Sequence, residues 1–280
     1  MNYLLIIYCI ACFALCYVSI AQRLKLKNVE YAGAGALSLK REELFAVLLA
    51  FWAVSFLPPF LLHLILRKVS MARSLSDANA NLLVCEISKF MALIFALYIY
   101  KYFHIKEIDQ PWLAMVKGGI GCFAVALPIF MLVLCLWSAL LMALKRYGFN
   151  VPLCEDRAVS LFNGLSGFGP KFLFSLTVVF LTPVSEELIF RCVLYRSFKG
   201  ALGSKFAAIF ISIIFAALHF NLRSLFPLYI LSFLLIKTYE RFGNILAPIA
   251  MHAIFNCNSL LLIILFKPQL LSYARVSLAQ

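Results

Sequence analysis

Long apolar runs constrain the fold of this chain more than any other feature of its sequence. Of the 280 residues, 64% are hydrophobic and 13% are charged, whereas a soluble domain is about half apolar and about a quarter charged. The short alternating polar and apolar segments that build membrane β-barrels are not seen in it. These observations predict an all-α, polytopic integral membrane protein.

The apolar runs divide into eight segments, which predict one bundle of about eight transmembrane helices, or seven if one segment is re-entrant. The first is interpreted as a retained helix, because it lacks a basic leading region and a clear small-residue cleavage site. The second contains Pro58-Pro59, which should kink or interrupt it. The segments are 3–21, 44–66, 82–103, 115–143, 172–195, 205–220, 225–239 and 245–266.

The formal net charge of +13 does not indicate a nucleic-acid partner. The basic residues are scattered among short loops between apolar runs, which is the pattern by which multi-span proteins set their orientation. Most of the nine cysteines lie inside apolar runs, where they are interpreted as small apolar side chains. The predicted surroundings of the chain are therefore a lipid bilayer and no nucleic acid.

Two adjacent carboxylates interrupt one of the apolar segments, in the stretch TPVSEELIFR at 182–191. A charge at the bilayer centre costs roughly 2.5–3.5 kcal/mol on insertion scales, so it needs a partner or a purpose. Glu187 and Arg191 are i,i+4 neighbours on one helical face and are predicted to pair. Glu186 is turned about 100° away. It is left without a local counter-charge and could act as a general base; the alternative is that both glutamates join an ion-pair network.

Two further interpretations concern the surroundings of these charges. Pro183 and Ser185 suggest a helix N-terminus just before Glu186, whose dipole would help keep that carboxylate ionised. Glu86 and Lys89, in the third apolar segment, have i,i+3 spacing, so their charges would offset each other on one helical face. They are interpreted as an interhelical or interfacial salt bridge in preference to a catalytic pair.

Three more polar residues fall in the last apolar segments. His219 ends one of them, while His252 and Asn256 lie i,i+4 on one face of the final segment. Each has a simpler explanation, since His219 can be a packed or interfacial residue and the other two can form an interhelical hydrogen bond. Together with Glu186 they could converge on a wet cavity, where they would supply a base, an orienting group and oxyanion donors. Such a set can activate water against a carbonyl group without a Ser or Cys nucleophile.

At this point the sequence resembles a known family. EELIFR, FAALH and HAIFN match, in order, the EExxxR, FxxxH and HxxxN motifs of the CAAX protease and bacteriocin-processing family, whose eukaryotic members are type II CAAX prenyl endopeptidases. The motifs span about 180–256. The resemblance implies an eight-helix bundle with a conical intramembrane cavity, a catalytic core at 168–266, and helices without a recognised motif at 1–143. One departure is Cys192, where many bacterial members have glycine.

The resemblance also implies a role for each of six matching residues. Glu186 matches the water-activating glutamate of the family, and His219 matches the residue that assists it. His252 and Asn256 match its oxyanion stabilisers. The supporting pair would be Glu187 and Arg191.

The predicted function is an intramembrane endopeptidase that needs no cofactor. Its substrate would be a peptide or protein that is either prenylated and CaaX-like or otherwise associated with the membrane, and a bacterial cell membrane is preferred to the endoplasmic reticulum. A zinc-dependent variant would use His219, His252 and a glutamate as ligands. It is less favoured, because the chain lacks HExxH and Asn256 is a poor zinc ligand.

Two non-proteolytic alternatives remain open. The first is a bacteriocin-immunity or scaffold protein that keeps the fold, although none of the six motif residues is visibly replaced. The second is a transporter, since buried Glu and His residues also serve proton relays. The chain shows no matching pair of Gly-interrupted segments, which would indicate a transporter. The sequence does not predict an oligomeric state.

Overall fold

The computed structural model describes residues 77–152 and 155–278, together with scattered positions between 34 and 61; beyond residue 265 it describes the backbone alone. Every regular element in these ranges is helical. The prediction of an all-α membrane protein is therefore confirmed. The helices are α1 Asp77–Tyr102, α2 Trp112–Arg146, α3 Arg157–Gly164, α4 Phe168–Ala217, α5 Leu222–Phe242 and α6 Leu246–Leu278.

Five of these helices are long and apolar enough to cross a bilayer, so the count of about eight is not confirmed. They are α1, α2, α4, α5 and the described part of α6. The predicted span at 3–21 and the kink at Pro58-Pro59 lie outside the described residues. Of the predicted span at 44–66, the structure describes scattered positions, and each of those is helical.

Two predicted segments, 172–195 and 205–220, lie within the single 50-residue run of α4. The run is interrupted at Gly203, whose backbone has φ 77° and ψ 163°. A residue with a Cβ rarely adopts such a φ, so glycine allows the chain to change direction here. The two predicted segments are therefore the two arms of α4, joined at Gly203.

The first arm of α4 departs twice from α-helical geometry. It is a π-helix at Thr177–Leu181 and again at Leu188–Tyr195, on either side of Glu186 and Glu187. Single π turns inside α-helices are frequent at functional sites. Each widened turn also changes which side chains face a neighbouring helix.

The prediction of a helix N-terminus just before Glu186 is wrong. The helix continues from the π turn through Pro183, and the Ser185 hydroxyl donates to the Thr182 carbonyl at 3.0 Å instead of capping an end. The first π turn accommodates Pro183 without ending the helix, so no helix terminus lies beside Glu186. A helix dipole therefore does not help to keep the Glu186 carboxylate ionised.

The centre of the bundle is the second half of the first α4 arm, where residues 187–197 are all buried. Around it, α1 packs on the first arm, α5 packs on both arms, and α2 packs along α6 and α5. The crossing of α2 and α6 is close, because a Cβ on Gly119 would overlap the Ala247 carbonyl oxygen. Small residues permit such close helix contacts in membranes.

Candidate active site

The first and third motifs meet at the carboxylate of Glu187. Its Oε1 lies 2.7 Å from His252 Nδ1 on α6, and its Oε2 lies 3.0 Å from Arg191 Nε one turn further along α4. The side chains of Glu187 and Arg191 are both 0% exposed. A charge at this depth is tolerated when it is paired, so the carboxylate holds both partners in place.

Arg191 carries the same network to α5 and to the second arm of α4. Its Nη2 donates to the Ser232 hydroxyl at 3.1 Å, and its guanidinium lies 4.9 Å from the centre of the Phe215 ring. The contact of its Nε with Glu187 is an ion pair without the alignment of a hydrogen bond. Ser232 was not predicted from the sequence, where it is distinguished by no more than a hydroxyl group within an apolar helix.

Glu186 has a counter-charge that its own helix does not supply. Lys89 on α1 places Nζ 3.2 Å from Glu186 Oε1. Lys89 therefore forms an interhelical ion pair, but with Glu186 and not with Glu86, which accepts a hydrogen bond from the Thr177 hydroxyl. The two α1 side chains each find a partner on α4, the helix packed against them, instead of pairing along α1.

His219 lies just past the end of α4, and its Nδ1 is 2.8 Å from the Phe215 carbonyl oxygen. A carbonyl can only accept, so Nδ1 carries the hydrogen, and in the neutral ring Nε2 keeps its lone pair. The Phe215 ring lies 5.0 Å from the His219 ring and 6.2 Å from the His252 ring. One phenyl ring thus lies beside both imidazoles.

Asn256 bonds to the first π turn of α4. Its Nδ2 donates to the Val178 carbonyl oxygen at 2.8 Å. That carbonyl lacks a helical donor, because the Thr182 N–H bonds to the Thr177 carbonyl and Pro183 has no N–H. Asn256 therefore satisfies a backbone group that the π turn and the proline leave open, and its second N–H is not used by this bond.

A cavity of about 750 Å³ lies next to Glu186. Its walls come from α1, α3 and the first arm of α4, and its polar lining includes Lys89, Glu186 and Arg157. His219, His252 and Asn256 are not among the lining residues. The cavity thus reaches the motif through Glu186.

The six predicted site residues are brought together to different degrees. Glu187, Arg191 and His252 are in direct contact. His219 and His252 lie near enough to Glu186 to interact with it electrostatically. Among the described contacts, no hydrogen bond joins Glu186 to either imidazole.

The described residues contain no group of three or more His, Cys, Asp or Glu side chains arranged to hold a metal ion. Each histidine uses Nδ1, one with a backbone carbonyl and the other with Glu187, and these two bonds leave both Nε2 atoms unused.

Cys192, the residue that departs from the bacterial pattern, lies in a separate polar cluster. Its Sγ is 3.3 Å from Glu107 Oε1 and 3.6 Å from the Tyr239 hydroxyl. Glu107 Oε2 also accepts from the Ile245 N–H, just before α6 begins. The loop after α1 thereby holds the start of the helix that carries His252 and Asn256.

One comparison with known proteins gives a family match. Residues 168–258 match a family model described as type II CAAX prenyl endopeptidase Rce1-like, and the match begins at the start of α4 and ends just after Asn256. No curated protein and no solved structure gives a significant match. With five such apolar helices among the residues that the structure describes, the protein is an integral, multi-pass membrane protein. Residues 168–258 of the chain are therefore similar to the type II CAAX prenyl endopeptidases of that family model.

Proposed function

We propose that this protein is an intramembrane endopeptidase in which Glu186 activates the water that hydrolyses a peptide bond. The observation that carries the proposal is the division between two neighbouring carboxylates. Glu187 is completely buried and committed to Arg191 and His252, whereas Glu186 lines the cavity. The family match supports a proteolytic function in general.

In the proposed reaction, Glu186 removes a proton from water while the water oxygen attacks the substrate carbonyl carbon. His219 Nε2 has the free lone pair needed to accept a hydrogen bond from the same water. When the C–N bond breaks, the proton on Glu186 passes to the leaving amine. A positioned general base contributes about 10²–10⁴-fold to such a rate.

The developing oxyanion needs hydrogen-bond donors on the other side of the carbonyl group. As an imidazolium, His252 would donate through Nδ1 to Glu187 and through Nε2 to the oxyanion. The second N–H of Asn256, one turn along α6, would be the other donor. In this scheme Arg191 acts through Glu187 and does not touch the substrate.

The proposed substrate is a peptide or protein segment that enters the cavity from the membrane, either with a prenylated CaaX end or without a prenyl group. The cavity volume lies within the range of about 300–1,000 Å³ that is typical of sites for small ligands. A short length of extended chain would fill it. The proposed location is a bacterial cell membrane in preference to the endoplasmic reticulum.

The test uses purified protein in liposomes with matched fluorogenic peptides that do or do not carry a prenyl group on cysteine. Glu186→Gln should abolish hydrolysis while the protein remains folded. Asp109→Asn is the control, because Asp109 is exposed in the loop after α1. Full activity of Glu186→Gln would reject the proposal, and a folded wild-type protein that cleaves none of the peptides would favour a scaffold or immunity function.

The zinc-dependent variant is tested with the same protein. The zinc content of active protein is measured by elemental analysis before and after chelator treatment, and the hydrolysis rate is measured on the same samples. The rate should not depend on the amount of bound zinc. Loss of activity with zinc removal, and its return when zinc is added, would favour the metal-dependent mechanism.

A further inference from the structure

Lys89 is the nearest charged group to the proposed base, yet it belongs to none of the three motifs. It lies on α1, outside the matched residues 168–258, and its Nζ is 3.2 Å from Glu186 Oε1. Both side chains line the same cavity. A role for Lys89 in the reaction therefore rests on the proposed function of Glu186.

This ion pair differs from the other pair in the same motif. The side chains of Lys89 and Glu186 are 34% and 13% exposed, whereas those of Arg191 and Glu187 are both 0% exposed. The first pair therefore faces the cavity, and the second is enclosed by protein. An ion pair that only joined two helices would not need to be accessible from a cavity.

Lys89 has no competing partner among the described residues. Glu86, its neighbour on α1, accepts a hydrogen bond from Thr177, and the Lys89 ammonium group bonds to Glu186 alone. A lysine at membrane depth is costly unless it pairs or serves a function. Its position is therefore explained by Glu186 and not by the structure of α1.

We propose that Lys89 is a positioning residue that holds the Glu186 carboxylate charged and aimed into the cavity. It also supplies the counter-charge as the reaction proceeds. When Glu186 takes a proton from water, the carbonyl electron pair moves to oxygen, so one negative charge leaves the carboxylate and one appears on the substrate. The net charge beside Lys89 is unchanged. When the amine leaves with the proton, Glu186 is again a carboxylate paired with Lys89.

The first experiment compares Lys89→Met with Lys89→Arg, using the prenylated and unprenylated fluorogenic peptides and the protein in liposomes. Lys89→Met should lower kcat about tenfold with little change in KM, since one charge interaction is removed from the site. Lys89→Arg should recover most of the loss, because it restores the positive charge. Lys101→Met, in the last turn of α1, is the matched control and should behave as the wild type.

Two outcomes would overturn the inference. One is a wild-type kcat for folded Lys89→Met. The other is an Arg variant as inactive as the Met variant, which would show that shape and not charge matters at this position. Failure of the proposed function looks different, because Glu186→Gln would then remain active whatever Lys89 does.

A second measurement needs no substrate. An isotope-edited infrared difference spectrum between wild type and Glu186→Gln isolates the band of this side chain. It should be a carboxylate band in wild type and in Lys89→Arg, and it should be replaced by a protonated carboxyl band in Lys89→Met at neutral pH. A carboxylate band that persists unchanged in Lys89→Met overturns the inference even if no peptide is cleaved.

Discussion

The carboxylate of Glu187 lies 2.7 Å from Nδ1 of His252, and this contact joins two motifs that are 65 residues apart in the chain. It gives the two neighbouring glutamates different environments, because Glu187 is enclosed between α4 and α6 while Glu186 faces a cavity. Substitutions of the two residues should therefore have different consequences.

The first prediction concerns stability. Glu187→Gln leaves Arg191 buried without its counter-charge, and removal of one partner of a buried pair costs about 3–5 kcal/mol. Asp109→Asn, at an exposed position in the loop after α1, should change the free energy of unfolding by less than about 0.5 kcal/mol. Thermal unfolding in detergent measures both. Equal unfolding temperatures for the two variants would contradict the structural role given to Glu187.

The second prediction concerns His219. The side-chain amide of an asparagine could still donate to the Phe215 carbonyl, as Nδ1 of His219 does. It has no atom at the position of Nε2 that could accept a hydrogen bond from the water. His219→Asn should therefore fold normally and lose activity by about 10²-fold, the lower end of the range for a group that assists proton transfer. The measurement is kcat on whichever fluorogenic peptide the wild type cleaves, together with an unfolding curve. A variant with full activity would remove His219 from the mechanism.

The third prediction concerns the bond from Asn256 to the Val178 carbonyl. Asn256→Leu leaves that partly buried carbonyl without a donor, which costs about 1 kcal/mol, the lower end of the range for a buried group. Pro183→Ala returns a backbone N–H to the turn that needs it, so the double variant should lose less stability than the sum of the single variants. A double-mutant cycle on unfolding free energies should show coupling of about 0.5–3 kcal/mol. Strict additivity would contradict the explanation.

The fourth prediction concerns the crossing of α2 and α6. Gly119→Ala introduces a Cβ that overlaps the Ala247 carbonyl oxygen, and a backbone atom cannot move aside cheaply. The variant should be less stable by about 1–3 kcal/mol, in the range of an overpacked core. Gly121→Ala, two residues along the same helix with open space around it, should be neutral or more stable by up to about 1 kcal/mol. The reverse order of stabilities would mean that the crossing is not close.

Several features of the protein were predictable from local chemistry. The long apolar runs, without the alternation typical of β-barrels, determined the all-α membrane class, because a helix satisfies its backbone hydrogen bonds within each segment. The pairing of Glu187 with Arg191 followed from helical periodicity, since residues four apart lie on one face. The π turn that follows Glu187 leaves the two side chains in contact.

Other features were not predictable, because they depend on which helices pack together. Glu86 and Lys89 looked like a pair along α1, but their partners are Thr177 and Glu186 on α4. Likewise, Pro183 looked like the start of a helix, whereas a π turn before it lets the helix continue.

The sequence alone determined that this is an all-α membrane protein, the order of its three motifs, and which residues within each motif share a helical face. Only the tertiary structure decided that Glu187 is held between Arg191 and His252 while Glu186 faces a cavity beside Lys89. The reason is physical. Periodicity within a helix specifies which residues share a face, but the partner of a charge at membrane depth is the nearest group that another helix brings to it.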